Sequence, residues 1–391
     1  MTKGRTLIPN RTAWPVLAGY FIMAFSDLVA PVTPRIAETF SENIRPLASF
    51  LPTMVFLWFL ILSIPIASWM NRIGRRRMAI AGDLLAAAGL AIAYAAGEGG
   101  GPAYYFVGFG LLGIGCTAIQ VSVNPMLALL APPEQMTTYL TLGQVFRNTA
   151  LLLLAPIVSC LVLWTGSWRP LLLIYALLTV GGGVWMALTR FDDPRVDRPA
   201  QTQGGGWKSY LSLLSNPVVA VSAGAIGVFL MLDVGVGYLS VQLVDSPNPL
   251  LTTTGFYACR IVGTIAGIWA LSRIDDMKYL KINLAVSTAM CAGLLVAQST
   301  AAVYLLVGVL GFTLACVFST FFAAATKAAS ERANEVSGLM ILTIAAGALS
   351  SPVIGAIIRT TGRVQTGAWF LVPCALYLWW AARYVKRRLN K

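Results

Sequence analysis

Long apolar runs separated by short polar segments make up most of this 391-residue chain. A helix that crosses a bilayer needs about 20 predominantly apolar residues. We predict twelve membrane-spanning helices, over residues 13–36, 47–70, 78–97, 103–131, 138–163, 169–189, 217–244, 253–273, 278–298, 302–326, 335–358 and 366–385. The first run is longer than the core of a signal peptide and contains an acid, so we expect it to remain as a spanning helix.

Composition and charge support the same class of protein. The chain is 57% hydrophobic and 11% charged, which is typical of a multi-span membrane protein and not of a soluble domain. Most of its 28 basic residues fall in loops that share one side if both termini are cytoplasmic. Because these residues are scattered over short loops, we expect them to face the lipid bilayer and do not expect nucleic-acid binding. The predicted fold class is therefore an all-α membrane protein.

The longest polar interruption divides the spans into two sets of six. We predict an N-terminal six-helix bundle over residues 1–190, a cytoplasmic linker over 191–216 and a C-terminal six-helix bundle over 217–391. A six-plus-six arrangement is typical of transporters whose two halves rock about a central substrate site.

Two carboxylates lie in the middle of apolar runs. Asp27 is in the first span and Asp233 is in the seventh. An acid near the bilayer centre costs about 2.5–3.5 kcal/mol on insertion scales, so it usually faces a polar cavity and handles a proton, an ion or a substrate. Arg147 and Arg260 are also within spans. They could neutralise these acids, with Arg260 and Asp233 the first pair to test, or they could hold an anionic substrate.

Amide side chains recur at helical spacing in two successive spans. Gln120 and Asn124 share one helix face, and so do Gln144 and Asn148. Amides donate and accept hydrogen bonds, as the hydroxyl groups of a sugar require. The alternative is that they only join helices. Aromatic faces for the same site, or for packing, could come from Tyr20, Trp58 and Tyr238.

Several kinds of chemistry lack the residues they need. The chain has no histidine, and its six cysteines all lie in apolar runs without a Cys-x-x-Cys motif. We therefore expect no metal site and no cofactor. We find no nucleotide-binding motif and no nucleophile–base pair, which argues against an ATP-driven pump and against an enzyme.

The loop after the second span is rich in arginine. Residues 65–76 end in Asn71, Arg72, Ile73, Gly74, Arg75 and Arg76. This stretch resembles the signature loop of the major facilitator superfamily, with Ala67 where the family has a leading glycine. The resemblance implies two six-helix bundles and a cytoplasmic latch between helices. We assign to this latch Asn71, Arg72, Gly74 and Arg75, together with Asp83, which could accept hydrogen bonds from the arginines.

Four further stretches are similar to the fucose permease family of fucose–galactose–glucose:proton symporters. They are residues 113–125, which end in Asn124 and Pro125, and residues 142–146, 233–237 and 331–340. The family couples sugar uptake to protons through carboxylates in the first and fourth helices. Asp27 matches the first, but the fourth-helix position falls on Gln120, which cannot titrate. Either Asp27 acts alone, Asp233 has taken over, or the coupling is different or lost.

The leading hypothesis is thus proton-coupled uptake of a hexose or related sugar by alternating access. We expect a monomer in a bacterial inner membrane, with a small molecule and protons as its partners. The main alternative is an exporter or facilitator of another small metabolite or organic anion in the same superfamily. A receptor built on an inactive transporter fold is a further alternative.

Overall fold

The protein is almost entirely helical in a computed structural model that describes residues 11–38, 40–97, 101–191, 207–244 and 250–389. The helices are α1 (Ala13–Met23), α2 (Val29–Ala37), α3 (Leu51–Ile73), α4 (Arg75–Ala95), α5 (Pro102–Leu130), α6 (Met136–Thr165), α7 (Pro170–Leu188), α8 (Trp207–Leu213), α9 (Pro217–Leu243), α10 (Leu250–Leu271), α11 (Asp276–Leu294), α12 (Thr300–Leu314), α13 (Val317–Ala328), α14 (Ala333–Ile344), α15 (Ser350–Thr361) and α16 (Ala368–Leu389). Each predicted span coincides with one of these helices or with two consecutive ones.

Three predicted spans are interrupted, and prolines account for two of the interruptions. A 3₁₀ turn, Ala24–Leu28, separates α1 from α2, and another, Ala345–Leu349, separates α14 from α15. Pro31 has no amide hydrogen to reach the carbonyl of Asp27, four residues earlier, and Pro352 has none for Ala348. The first of these turns contains Asp27, so the chain loses regular helical geometry at the first of its two mid-span acids.

Nine helical segments among the described residues have the length and apolar composition needed to cross a membrane. The predicted first, ninth and twelfth spans are not among them. The first is divided into two short helices. The ninth, α11, begins with several charged residues, and the twelfth, α16, ends with Lys386, Arg387 and Arg388 in its last turn. These charges mark helix ends near a membrane surface.

Helix contacts in the first half are repeated in the second. In the first half α3 packs on α5, α4 packs on α5 and α7, and α1 packs on α7. In the second half the corresponding pairs are α10 with α12, α11 with α12 and α16, and α9 with α16. A chain of two related six-helix units would make these contacts. The boundaries at residues 190 and 217 stay a prediction, and residues 192–206 of the linker lie outside the described residues.

The described part of the predicted linker contains α8. Its Tyr210 is buried, and the Tyr210 hydroxyl lies 2.8 Å from the hydroxyl of Ser68 on α3. Burial raises the pKa of the Tyr210 phenol above its usual value. Ser209 of the same helix accepts a hydrogen bond from Arg332, just before α14. The linker helix therefore contacts both halves of the chain.

Glycines let α4 and α5 approach closely, and this packing gives a first prediction. A methyl group added at Gly115 would lie 2.5 Å from the amide nitrogen of Ala86 and from the carbonyl oxygen of Gly82. Because backbone atoms cannot move aside cheaply, we expect Gly115→Ala to lower the free energy of unfolding by about 1–3 kcal/mol. Thermal unfolding in detergent, followed by intrinsic fluorescence, measures the effect.

Gly181→Ala is the matched control, because a methyl group at Gly181 on α7 meets nothing within 4 Å. This variant should be as stable as the parent protein or slightly more stable, since alanine is the better helix former. Equal melting temperatures for the two variants would mean that α4 and α5 do not pack at this distance.

Candidate functional site

A cavity of about 320 Å³ lies between the two halves of the chain. Its described lining includes four charged side chains, Asp27, Arg147, Asp233 and Arg260. Amides, hydroxyls and aromatic rings form much of the remaining wall. This volume is at the lower end of the range for small-molecule sites, so the cavity suits a small metabolite.

Asp27 and Arg147 form an ion pair across the wall of this cavity. Arg147 Nη2 on α6 donates to Asp27 Oδ2 at 2.8 Å, and each side chain is 18% exposed. Arg147 Nε is buried without a hydrogen-bond partner among the described residues. The pair is therefore joined at a single point, and the guanidinium keeps donors that Asp27 does not use.

Asp233 on α9 and Arg260 on α10 form a second ion pair. This is the pairing that we singled out from the sequence as the first to test. Arg260 Nη1 donates to Asp233 Oδ2 at 3.0 Å. Arg260 Nη2 lies 2.7 Å from Asp233 Oδ1, which is close enough for charge attraction, although Oδ1 accepts no hydrogen bond among the described residues. The Arg260 guanidinium also lies over the rings of Phe229 and Phe256, 5.6 and 5.1 Å from their centroids. One hydrogen bond, a second charge contact and two aromatic faces hold this arginine more firmly than Arg147 is held.

Three of the four predicted amide residues line the cavity, together with Tyr238. They are Gln120, Gln144 and Asn148. Gln144 Nε2 is buried and has no hydrogen-bond partner in the part of the chain that the structure describes, whereas Asn148 Nδ2 donates to Thr264 Oγ1 at 3.3 Å. The amides of α6 thus provide one contact between the halves and one unused donor.

Asn124, Tyr20 and Trp58 are not among the described lining residues, which corrects the predicted substrate-binding set. Tyr20 donates to Asn124 Oδ1 at 2.7 Å, and Asn124 Nδ2 donates to the Gln120 carbonyl at 2.6 Å. Both side chains are fully buried. Trp58 on α3 packs beside Gly113 of α5. Asn124 and Tyr20 therefore join helices within the first half, the alternative considered for the amides.

One face of α10 contributes Arg260, which we predicted, and two lining residues that we did not predict, Thr253 and Tyr257. Thr253, Tyr257 and Arg260 follow one another at intervals of four and three residues, and all three line the cavity. Such spacing places side chains on one side of a helix. Once Arg260 was suspected of facing a polar site, the same spacing could have identified Tyr257 and Thr253.

The predicted latch residues lie at the ends of α3 and α4. Gly74 has a φ of +89°, which side-chain-bearing residues rarely adopt, so the tight connection between the two helices needs glycine. Arg75 is 1% exposed, and its Nε donates to Asn334 Oδ1 on α14 at 2.7 Å. Asn334 Nδ2 donates to Asn71 Oδ1 at 2.6 Å. Arg72 is exposed. The loop thus contacts the opposite half of the chain.

Asp83 does not make the contact that we expected. It is buried against Gly183 of α7, and its Oδ1 has no hydrogen-bond partner among the described residues. The neighbouring Arg76 donates to the backbone carbonyls of Met186 and Ala187 instead. Eight residues separate Asp83 from Arg75, and this distance along α4 keeps the acid away from the loop.

The corresponding loop of the second half also contacts the opposite half. Asp276, at the start of α11, accepts a hydrogen bond from Thr137 Oγ1 of α6 at 2.6 Å and lies 3.8 Å from Lys327 Nζ. Nearer the cavity, the hydroxyls of Thr141 and Ser319 lie 2.7 Å apart. Polar contacts thus join the halves on the side of the cavity where these two loops lie.

A profile of the Major Facilitator Superfamily matches residues 16–352. The chain belongs to this superfamily. Membership confirms the predicted fold and a multi-pass membrane protein, and it identifies a transport protein rather than an enzyme.

Relatives and solved structures within the superfamily cover most of the chain. The glucose/galactose transporter of Brucella abortus biovar 1 (strain 9-941) is 26% identical over 382 residues, which cover 91% of this chain and 88% of the relative. The L-fucose-proton symporter of Escherichia coli K12 is 20% identical over 377 residues, 86% and 84% of the two chains.

Two solved structures share the fold. The crystal structure of an E. coli fucose:proton symporter variant has a TM-score of 0.83 at 18% identity and covers 95% of this chain and 97% of its own. A bacterial homologue of the iron transporter ferroportin, in an outward-facing state, has a TM-score of 0.75 at 14% identity and covers 97% of this chain and all of its own. Both likenesses concern the arrangement of helices.

Proposed function

We propose that this protein is a secondary transporter that takes up a hexose or related sugar together with a proton, and that Asp27 handles the proton. The observation that carries the proposal is the single-point ion pair between Asp27 and Arg147 on the wall of the central cavity. The relatives' names, glucose/galactose transporter and L-fucose-proton symporter, support both the sugar and the proton.

The ion pair gives a physical route to coupling. When Asp27 is ionised, it holds Arg147 at 2.8 Å. A proton on Asp27 removes the negative charge that attracts Arg147, so the arginine becomes available to a substrate. Protonation then prepares the site, and loss of the proton re-forms the pair and weakens the hold on the substrate. Coupling needs a differential interaction of this kind.

Gln120 replaces the family's second acid, and Asp233 is the remaining candidate for that role. Asp233 faces the same cavity, but Arg260 contacts both of its oxygens. Protonation of Asp233 would weaken two charge contacts with Arg260, whereas protonation of Asp27 weakens one contact with Arg147. Asp27 is therefore the first choice as the proton carrier, with Asp233 second.

Alternating access follows from the two halves and the cavity between them. The contacts of Arg75 with Asn334 and of Asp276 with Thr137 close one side of the cavity. The distribution of basic residues supports a cytoplasmic location for that side and for both termini, and we propose a bacterial inner membrane. In this orientation the substrate enters from outside, and the contacts must separate before it can leave. We propose that the monomer is the working unit.

Uptake into proteoliposomes tests the proposal. Radiolabelled fucose, galactose, glucose and N-acetylglucosamine are offered with an inward proton gradient either imposed or collapsed by an ionophore. Accumulation of a sugar only with the gradient is the expected result. Uptake that merely equilibrates would indicate a facilitator, in keeping with the missing acid at Gln120. Release of a sugar from loaded vesicles, driven by the inward proton gradient, would indicate an exporter.

Gln120→Ala gives a second prediction, about substrate affinity. Gln120 lines the cavity, and its amide can both donate to and accept from hydroxyl groups. Losing one such hydrogen bond should weaken substrate binding about two- to tenfold, because each contributes roughly 0.5–1.5 kcal/mol. Half-saturation of uptake and equilibrium binding in detergent measure the change. Gln298→Ala, at an exposed loop position, should leave both unaltered. Unchanged affinity in Gln120→Ala would place the binding site elsewhere.

A further inference from the structure

The two ion pairs of the cavity differ in how completely each arginine is used. Arg260 contacts both oxygens of Asp233 and lies over two aromatic rings. Arg147 contacts one oxygen of Asp27, and no described residue pairs with its buried Nε. Arg260 is thus held in place by its surroundings, whereas Arg147 keeps donors for another acceptor.

A second unused donor lies beside Arg147. Gln144 precedes it by three residues on α6, so the two side chains share one face of the helix. Gln144 is 5% exposed, lines the cavity, and has no partner for its Nε2 among the described residues. Buried donors are normally paired. Two unpaired donors on one face indicate a ligand that brings acceptors, and a carboxylate offers two oxygens in the plane that a guanidinium matches.

The charges of the cavity point to the same kind of ligand. Its four charged lining residues, two acids and two arginines, sum to zero among the described residues. A proton on Asp27 leaves one positive charge uncompensated. A neutral sugar would travel with that charge buried, whereas a substrate with one negative charge restores neutrality. Buried charges are stable only when they are paired.

We propose that the substrate is a sugar acid with a single carboxylate, of the uronic or aldonic acid class, whose carboxylate is bound by Arg147 and Gln144. The acid crosses the membrane with one proton, so that no net charge moves. The sugar hydroxyls meet the remaining amides, hydroxyls and rings of the cavity. This inference rests on proton-coupled sugar uptake as the proposed function and specifies its substrate.

The test uses the intact protein in proteoliposomes with an inward proton gradient and a membrane potential clamped by potassium and valinomycin. Radiolabelled galacturonate, glucuronate and gluconate are compared with galactose and glucose. We expect one of the acids to accumulate at the same rate whether the potential is zero or negative inside. We also expect unlabelled acid to compete at least tenfold better than the matching neutral sugar.

Variants at Arg147 connect the charge preference to this residue. Arg147→Gln should lose the preference for the acid, and Arg147→Lys should keep part of it, because lysine retains the charge without the two-point geometry. Arg363→Gln, at an exposed loop position, is the matched control. Binding of galacturonate to the detergent-solubilised proteins, measured by calorimetry, supplies a readout that does not need transport.

Different outcomes separate the two proposals. Accumulation of a neutral hexose, with no transport of the acids and no competition by them, would overturn the sugar-acid inference and leave proton-coupled sugar uptake standing. If accumulation of an acid required a negative potential inside, the proposal that the acid and one proton cross together without net charge would be overturned. Absence of gradient-driven uptake of both neutral sugars and acids would overturn both proposals. Full acid preference in Arg147→Gln would remove Arg147 from the binding site.

Discussion

Asp27→Asn is expected to abolish accumulation while leaving exchange of internal for external substrate measurable. An inward gradient of about 2 pH units can sustain roughly 100-fold accumulation of a solute that moves with one proton, since each unit is equivalent to about 1.4 kcal/mol. Asparagine keeps an acceptor oxygen for Arg147, 2.8 Å away in the parent protein, but it cannot carry the proton. The variant should therefore only equilibrate its substrate. Proteoliposome uptake with and without the gradient measures both activities.

Asp275→Asn is the matched control for this prediction. Asp275 caps α11 by accepting from the Lys278 amide at 2.7 Å, and it pairs with Lys386 at 3.0 Å, away from the cavity lining. Asparagine is an equally good capping residue, so this variant should accumulate substrate normally. Asp233→Asn completes the set. Normal accumulation in Asp27→Asn, with loss of accumulation in Asp233→Asn, would mean that Asp233 and not Asp27 carries the proton.

Arg75→Ala is expected to slow uptake about tenfold or more and to lower the melting temperature. Arg75 is buried at the contact between the halves, and its hydrogen bond to Asn334 spans them. A hydrogen bond to a charged group contributes about 1.5–3 kcal/mol, which is equivalent to roughly 10- to 150-fold in the balance between closed and open states. The variant should spend less time closed on this side. Initial uptake rates and thermal unfolding in detergent measure the two effects.

Arg77→Ala provides the comparison, because Arg77 is two residues further along the same helix and is exposed. It removes the same charge without breaking a contact between the halves. The uptake rate should therefore stay within about twofold of that of the parent protein, and the melting temperature should hardly change, as for most surface substitutions. Asn334→Ala should change both measurements in the same direction as Arg75→Ala, since it removes the other partner of this hydrogen bond. Equal behaviour of Arg75→Ala and Arg77→Ala would mean that the loop does not control the opening of this side.

Most of the spans could be predicted from sequence, because nine helical segments among the described residues have the apolar length that a membrane crossing needs. The interruption at Asp27 was readable too, through Pro31. The orientation of residues around a helix was harder to predict. Helix α5 is buried around most of its circumference, so its pattern does not distinguish the side that faces the cavity from the side that packs within the first half. Gln120 faces the cavity, whereas Asn124, four residues away, bonds to Tyr20.

Contacts between residues far apart in sequence were also only partly predictable. The sequence suggested Arg260 as a partner for Asp233 because their spans are consecutive, and the two side chains are in contact. It offered Arg147 as an arginine that could neutralise an acid but did not assign it to Asp27, from which it lies 120 residues away on α6. Asp83 was expected near the arginines of its loop because it is close to them in sequence, but helix rotation turns it toward α7. Pairing across helices depends on packing, which one sequence does not reveal.

Two of the contacts that close one side of the cavity join uncharged groups. The hydroxyls of Thr141 and Ser319 lie 2.7 Å apart, and Ser337 on α14 donates to the backbone carbonyl of Val121. Dissolved ions screen attraction between opposite charges, but they have little effect on hydrogen bonds between neutral groups. These two contacts should therefore hold at low and at high ionic strength, so this part of the gate would not weaken when the salt concentration beside it changes.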